Sequence, residues 1–167
     1  KVTCLWVGFS KSYDGWKSRP HQDSVQSFKR KLKKLTARKW SIDLDNRIER
    51  LNWVIRGWIN YFSMTNMKSV MENIDERLRT RIRVIIWKQW KKKSRRLWGL
   101  LKLGVPKWIA DKVSGWGDHY QLVAQRSVLK RAISKPVLAK RGLVSCLDYY
   151  LKRHALKVSW TAVCRTA

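Results

Sequence analysis

Six apolar residues constrain what this chain can fold into. Leu44, Ile48, Leu51, Ile55, Trp58 and Phe62 recur at steps of 4, 3, 4, 3 and 4, the spacing of one face of an α-helix. Such a stripe is stable only when other apolar faces cover it, and the sequence supplies two. Val25, Phe28, Leu32 and Leu35 form a stripe upstream that Ser24 can cap, with Lys29, Arg30, Lys31, Lys33 and Lys34 around the rest. Downstream, Val70, Ile74, Leu78, Ile82 and Ile85 form a third. It opens near Asn66 or Ser69, where Ser69 and Glu72 have capping-box spacing. Asp43 and Asp45 favour the positive start of the second helix, as Glu72, Asp75 and Glu76 favour that of the third. Gly57 inside the second helix costs about 1 kcal/mol relative to Ala, which points to close packing or to the approach of a ligand.

Residues 1–22 predict a β-hairpin. Val2 to Phe9 is β-branched and aromatic, Asp14-Gly15 is a turn dipeptide, and Trp16 opens a return strand before Pro20. An isolated hairpin is marginal in water, so it must lie against another element. After about residue 94 the pieces shorten. Gly104 and Pro106 end one helix and begin another, and Gly115-Trp116-Gly117 breaks the pattern again. Ser127 caps a helix bearing Val128, Leu129 and Ile133, and Pro136 opens one that stops at Gly142. Ser145 and Asp148 repeat the capping-box spacing before Leu147, Tyr150, Leu151 and Leu156. The expected fold class is mainly α. A hairpin at 1–22 precedes a three-helix bundle at 23–95, a compact annex of short helices at 96–157 and a frayed, flexible tail at 158–167.

Charge narrows the function. The chain carries 38 Lys and Arg against 11 Asp and Glu, a formal charge of +27. Between Glu76 and Asp111 lie twelve basic residues and no acid, with Trp87, Trp90, Trp98 and Trp108 interleaved. A cationic block repels itself unless an anion sits on it, and indoles offer flat faces to bases. The pattern therefore selects a polyanion, with RNA or DNA foremost. An apolar share of 44% excludes a disordered basic tail. No apolar run is long enough to span a membrane, and no secretory signal opens the chain. Cys4, Cys146 and Cys164 are odd in number and lack metal-ligand spacing, which favours reduced thiols inside a cell. The start at Lys1 suggests a fragment, although processing gives the same beginning.

The candidate nucleic-acid-binding side chains fall into two basic faces. Lys88, Lys91, Lys92, Lys93, Arg95 and Arg96 follow the third stripe and are expected to be exposed; Lys29, Arg30, Lys33 and Lys34 form the other face. Trp58 belongs to the core, whereas Trp87 and Trp90 stand between core packing and base stacking. Arg56, Asn60 and Tyr61 flank the second stripe, where they either touch nucleic acid or hold that helix against the third. The acids gather at helix starts rather than converging on a metal, and His21, His119 and His154 are far apart. No metal or cofactor is expected to bind this chain alone.

The run Leu51-Asn52-Trp53-Val54-Ile55-Arg56-Gly57-Trp58-Ile59-Asn60-Tyr61-Phe62 is followed by Ile86-Trp87-Lys88-Gln89-Trp90-Lys91 and Leu101-Lys102-Leu103-Gly104-Val105-Pro106. Ser127-Val128-Leu129-Lys130-Arg131-Ala132 and Gly142-Leu143-Val144-Ser145-Cys146-Leu147-Asp148-Tyr149-Tyr150 continue the series. In this order the segments resemble the maturase-specific region of bacterial group II intron reverse transcriptases, over roughly residues 5–151. The resemblance puts Leu5-Trp6-Val7-Gly8-Phe9 at the family's palm-end hairpin, with extra residues between the Leu and the Gly. It makes 23–95 the thumb-like helices and 96–157 the distal part of the maturase region.

The resemblance implies an RNA-binding maturase or thumb segment that stabilises folded intron RNA for splicing and mobility. Group II intron RNA is the implied partner, with template–primer or target DNA and a separate fingers–palm fragment as further ones. The family's Tyr-x-Asp-Asp sequence and its Cys/His endonuclease do not occur here. The chain alone is therefore expected neither to polymerise nor to cut nucleic acid, and Mg2+ is expected only with the RNA or the palm. Two other readings stay open: a thumb fragment lending template–primer binding to a reverse transcriptase, and a general basic helical protein that binds nucleic acid or a membrane surface. The implied location is the cytoplasm or nucleoid of a bacterium.

Overall fold

A computed structural model describes the backbone of residues 7–12 and 15–166 and the side chains of residues 18–157. The fold is mainly α. Strands β1 (Val7–Ser12) and β2 (Gly15–Pro20) pair antiparallel, with Val7 opposite Pro20 and Ser12 opposite Gly15. Gly15 thus belongs to the strand rather than to the turn. Val2 to Trp6 and Asp14, also part of the expected hairpin, lie outside the described residues. The backbone N–H of Asn66 donates to the Ser18 carbonyl at 2.9 Å, which rests the hairpin on a helix connection.

Three long helices follow: α1 (Gln22–Leu35), α2 (Leu44–Phe62) and α3 (Lys68–Gln89). Asp43 caps α2 as expected, accepting from the Asp45 N–H at 3.1 Å. The other two starts differ from expectation. His21, not Ser24, caps α1; its Nδ1 accepts from the Asp23 N–H, and Ser24 is buried within the first turn. The Ser69–Glu72 box does not govern α3, whose cap residue is Met67 with no side-chain bond. Burial fixes that start instead. Met67 is in the core, and its N–H donates to Tyr150 Oη, which itself donates to the Thr65 carbonyl at 2.9 Å.

Short helices come next, α4 (Lys93–Lys102), α5 (Lys107–Ser114), α6 (Tyr120–Gln125), α7 (Ser127–Ala132) and α8 (Lys135–Lys140), and then α9 (Cys146–Thr166), a helix of 21 residues where the sequence led us to expect only short ones. Gly104, Gly117 and Gly142, at positive φ, sit where these elements change direction, a conformation that disfavours a Cβ. Ser127 is the first residue of α7 rather than its cap, a place taken by Arg126 without a side-chain bond. The backbone of the expected tail continues α9 as far as Thr166, and side chains beyond Lys157 lie outside the described residues.

Two apolar cores share α3. The first joins Phe28, Leu51, Ile55, Ile59, Met71 and Ile82 to Leu138, Cys146 and Tyr150 from α8 and α9. The second gathers Leu100, Ala110, Val113, Val123 and Leu129 around Trp87, whose Nε1 donates to the Gly117 carbonyl at 3.1 Å. Trp58 packs against the first core, stacked on Phe28 at 4.6 Å, and Ile59 takes the deeper position beside it. A Cβ on the exposed Gly57 would meet nothing within 4 Å, so packing inside the chain does not account for that glycine.

Polar ties close the first core. The carboxylate of buried Asp75 accepts from the Cys146 N–H at 2.9 Å and from Ser145 Oγ at 3.2 Å, so an acid on α3 caps α9. Burial, then the nearby Asp75 charge, pushes the Cys146 thiol well above its ordinary range, which leaves it inert. The Asn52 amide reaches across to the α8–α9 connection, donating to the Gly142 carbonyl at 2.7 Å and accepting from the Val144 N–H at 2.9 Å. Leu51 and Ile55 have no exposed surface. Leu51→Ala and Ile55→Ala should each lower stability by about 2–5 kcal/mol. The measurement is the urea midpoint, and retention of the parent's midpoint by both variants would contradict this core.

Candidate nucleic-acid interface

The end of α1 is sewn to the outer strip of α3 by basic side chains. Arg81 Nε donates to Thr36 Oγ1, and its Nη2 donates to the Lys33 carbonyl at 3.2 Å. About two helical turns further on, Lys88 Nζ donates to the Arg38 carbonyl at 2.9 Å. Arg77, Arg81 and Lys88 share this strip because steps of four and seven return to one helical face. Over a small apolar cleft of about 160 Å³, Lys29 and Lys33 of α1 face Arg77 and Arg81 of α3.

A larger hollow, about 430 Å³, opens where the α1–α2 loop meets the end of α3. Arg38, Lys39, Lys88 and Lys91 line it together with Trp40 and the buried Arg47. Arg47 holds this loop from beneath. Its Nη1 donates to the carbonyls of Leu35 and Ala37, at 2.8 and 3.1 Å, and its Nη2 donates to that of Trp40. The Trp40 ring lies 5.1 Å from the Arg47 guanidinium and 5.5 Å from that of Arg50. Burial lowers the Arg47 pKa, yet an arginine stays charged in this setting. The acids bordering the seam are Asp43 at the hollow and Glu76 beside Arg77. Asp43 also caps α2, and the Arg and Lys side chains around the hollow outnumber it, so cations dominate the surface.

The structure distributes the predicted residues unevenly. Lys88 and Lys91 line the hollow, Lys29 and Lys33 line the cleft, and Arg30 and Lys34 are exposed on α1. Lys92 and Lys93 are exposed at the α3–α4 junction, and Arg95 stands 4.9 Å from the Trp98 ring on α4. Arg56 is exposed on α2, apart from the α1–α3 contacts.

Arg96 contradicts the expectation of exposure. Only 5% of it is accessible, because its Nε donates to the Trp90 carbonyl at 2.8 Å and its Nη2 to Asp118 at 2.9 Å. Trp90 is partly buried against both cores, and a Cβ on Gly99 would come within 2.7 Å of its indole, so packing fixes the ring. Arg38, Lys39 and Arg47 were absent from the predicted set, as were Arg77 and Arg81. The four-residue step between Arg77 and Arg81 was a readable signal; the loop carbonyls that bury Arg47 were not.

Among the described residues, no group of three or more His, Cys, Asp or Glu side chains could hold a metal ion. No described helix is long and apolar enough to cross a membrane. Residues 25–104 match the family model described as the group II intron, maturase-specific domain. The chain carries that domain. No curated protein matches the chain. The matched span runs from the first turn of α1 to Gly104 beyond α4, so the basic seam lies within the maturase-specific domain. This domain is not the catalytic polymerase region.

Neighbouring arginines at the α4 start should separate folding from surface charge. Arg96→Ala leaves the Trp90 carbonyl without its partner and should cost about 1–3 kcal/mol. Arg95→Ala should stay within about 0.5 kcal/mol of the parent. Thermal melts of the two variants check this, and equal midpoints would contradict the assigned roles.

Proposed function

We propose that the chain binds folded group II intron RNA through the α1–α3 seam and stabilises it for splicing and mobility. One observation carries the reading: the maturase-specific segment folds so that two basic groups, distant in sequence, meet on one face. Lys29 and Lys33 come to Arg77 and Arg81, and Arg38 and Lys39 come to Lys88 and Lys91. A solvated face normally mixes signs, whereas cations prevail here.

Such a face works by neutralising phosphates and releasing their counterions. Folded RNA presents backbone, 2′-hydroxyls and unstacked bases, and a protein that fits this shape lowers the free energy of the folded form. The intron RNA supplies its own active site in this mechanism. Magnesium then belongs to the RNA, or to a palm supplied separately, in the cytoplasm or nucleoid of a bacterium.

A second reading draws on the outer face of α2. Trp53 and Tyr61 are 75% and 69% exposed there, and Gly57 between them leaves the backbone open to close approach. This face suits template–primer binding in company with a fingers–palm fragment.

Affinity for structured RNA should fall about 10³-fold or more between 50 and 200 mM salt if six or more phosphates are neutralised. A nearly flat salt titration would exclude the mechanism. Reversing Lys91, Lys92 and Lys93 together should leave the melting curve nearly unchanged, since exposed substitutions alter stability by less than about 0.5 kcal/mol each. RNA affinity should drop more than about tenfold, and the slope of log affinity against log salt should become shallower by roughly three. Unchanged affinity with intact folding would remove these lysines from the interface. The purified chain should not extend a primed template with magnesium; extension free of contaminating polymerase would overturn the non-enzymatic reading.

A further inference from the structure

Beside the seam's larger hollow, with which it shares Gln89, the end of α3, α4 and α8 enclose a groove of about 440 Å³. Its volume falls in the range of small-molecule sites. Leu103, Val137 and Leu138 give it apolar walls, and the indoles of Trp90 and Trp98 add flat ones. Arg95, Lys102 and Arg141 stand along it, the Gln89 amide contributes both a donor and an acceptor, and no carboxylate lines it.

This combination selects its occupant by chemistry. Three cations without an acid call for an anion. A bare inorganic anion gains nothing from apolar walls, and a fatty chain leaves the indoles and the amide unused. A nucleotide satisfies all three features: a planar base against indole and aliphatic carbon, a polar edge toward Gln89, and phosphate toward the cations. The wall is also pre-formed. The Trp90 indole is held against Gly99, and the backbone N–H of Trp90 donates to the Ile86 and Trp87 carbonyls at 3.3 and 3.2 Å, which fixes the main chain that carries the ring. Trp98 is 51% exposed, with Arg95 and Lys102 at 4.9 and 5.0 Å from its ring, so cations and indole are presented together.

We propose that this groove seats one unstacked nucleobase of a bound RNA against Trp90 and Trp98, with its flanking phosphates on Arg95, Lys102 and Arg141. The proposal rests on the RNA-binding reading and adds a base-reading site to a surface otherwise built for phosphates.

The test compares two probes of equal charge on the full chain: an octamer of oligoadenylate and an octamer of abasic ribose phosphate. Oligoadenylate should bind about tenfold tighter, as expected when one base stacks. Trp98→Ala should shrink that preference to less than about twofold while leaving the salt slope unchanged. Val137→Glu, which puts a carboxylate in the groove, should shrink the preference likewise and serves if Trp98→Ala melts early. Trp108→Ala, at an exposed indole outside the groove, should keep the preference.

Equal binding of the two octamers, or a preference that survives both groove variants, would overturn the proposal. Structured RNA that binds with steep salt dependence while the preference is absent would sink the groove and leave the seam standing. The converse is also readable. If structured RNA fails to bind, adenosine monophosphate compared with ribose 5-phosphate by NMR decides the groove alone, and only a base-dependent shift lost in Val137→Glu sustains it.

Discussion

Guanidinium groups laid across the C-terminal ends of helices hold this protein together. Arg47 collects the Leu35 carbonyl at the end of α1 and two carbonyls of the following loop. Arg83 reaches the Ile133 carbonyl at the end of α7, and Arg96 takes that of Trp90 at the end of α3. Each site offers unpaired carbonyls and the negative end of a helix dipole. A chain with 38 basic and 11 acidic residues has few carboxylates to spend on buried cations. Helix ends take their place. Arginine suits the task better than lysine, since its planar fork serves several acceptors at once and is more weakly hydrated.

The same economy explains the seam. α3 is buried on two sides, with Ile74, Leu78 and Ile82 in the first core and Trp87 in the second. Arg83 is trapped between them, its pKa lowered first by burial and then by Arg79. What remains outside is a narrow strip, and the surface cations of α3 must share it. Arg77, Arg81 and Lys88 are concentrated there by the packing of the helix. The loop that Arg47 secures then brings Arg38 and Lys39 beside them. Charge density on this face is a product of core geometry.

How much of this was legible depends on whether the cause was local. The α2 stripe and its Asp43 cap are written in consecutive residues and read out correctly. So are the breaks at Gly104, Gly117 and Gly142, where backbone conformation is a property of one residue. The caps of α1 and α3 were misread because Ser24 and Met67 are placed by burial, which serine and capping-box patterns do not report. Exposure of Arg96 was misjudged for a related reason. A charged side chain is expected outside unless its acceptors are known, and those acceptors come from Trp90 and from Asp118, 22 residues away. The two lysine-rich faces were visible in sequence, but their meeting on one seam is tertiary.

The Asn52 clasp gives the family segment an unusual dependence on time. Its two hydrogen bonds join α2 to Gly142 and Val144, and the first core is finished by Leu138, Cys146 and Tyr150, all beyond residue 104. A ribosome that has released the whole matched segment has therefore not released everything needed to close it. Until the 46 further residues to Tyr150 emerge, at about 5–20 residues per second, apolar flanks of α2 and α3 stand open beside a dense positive field. For those seconds the nascent chain is both sticky and polyanion-seeking. Any polyanion that met the seam in that interval would meet an unfinished protein.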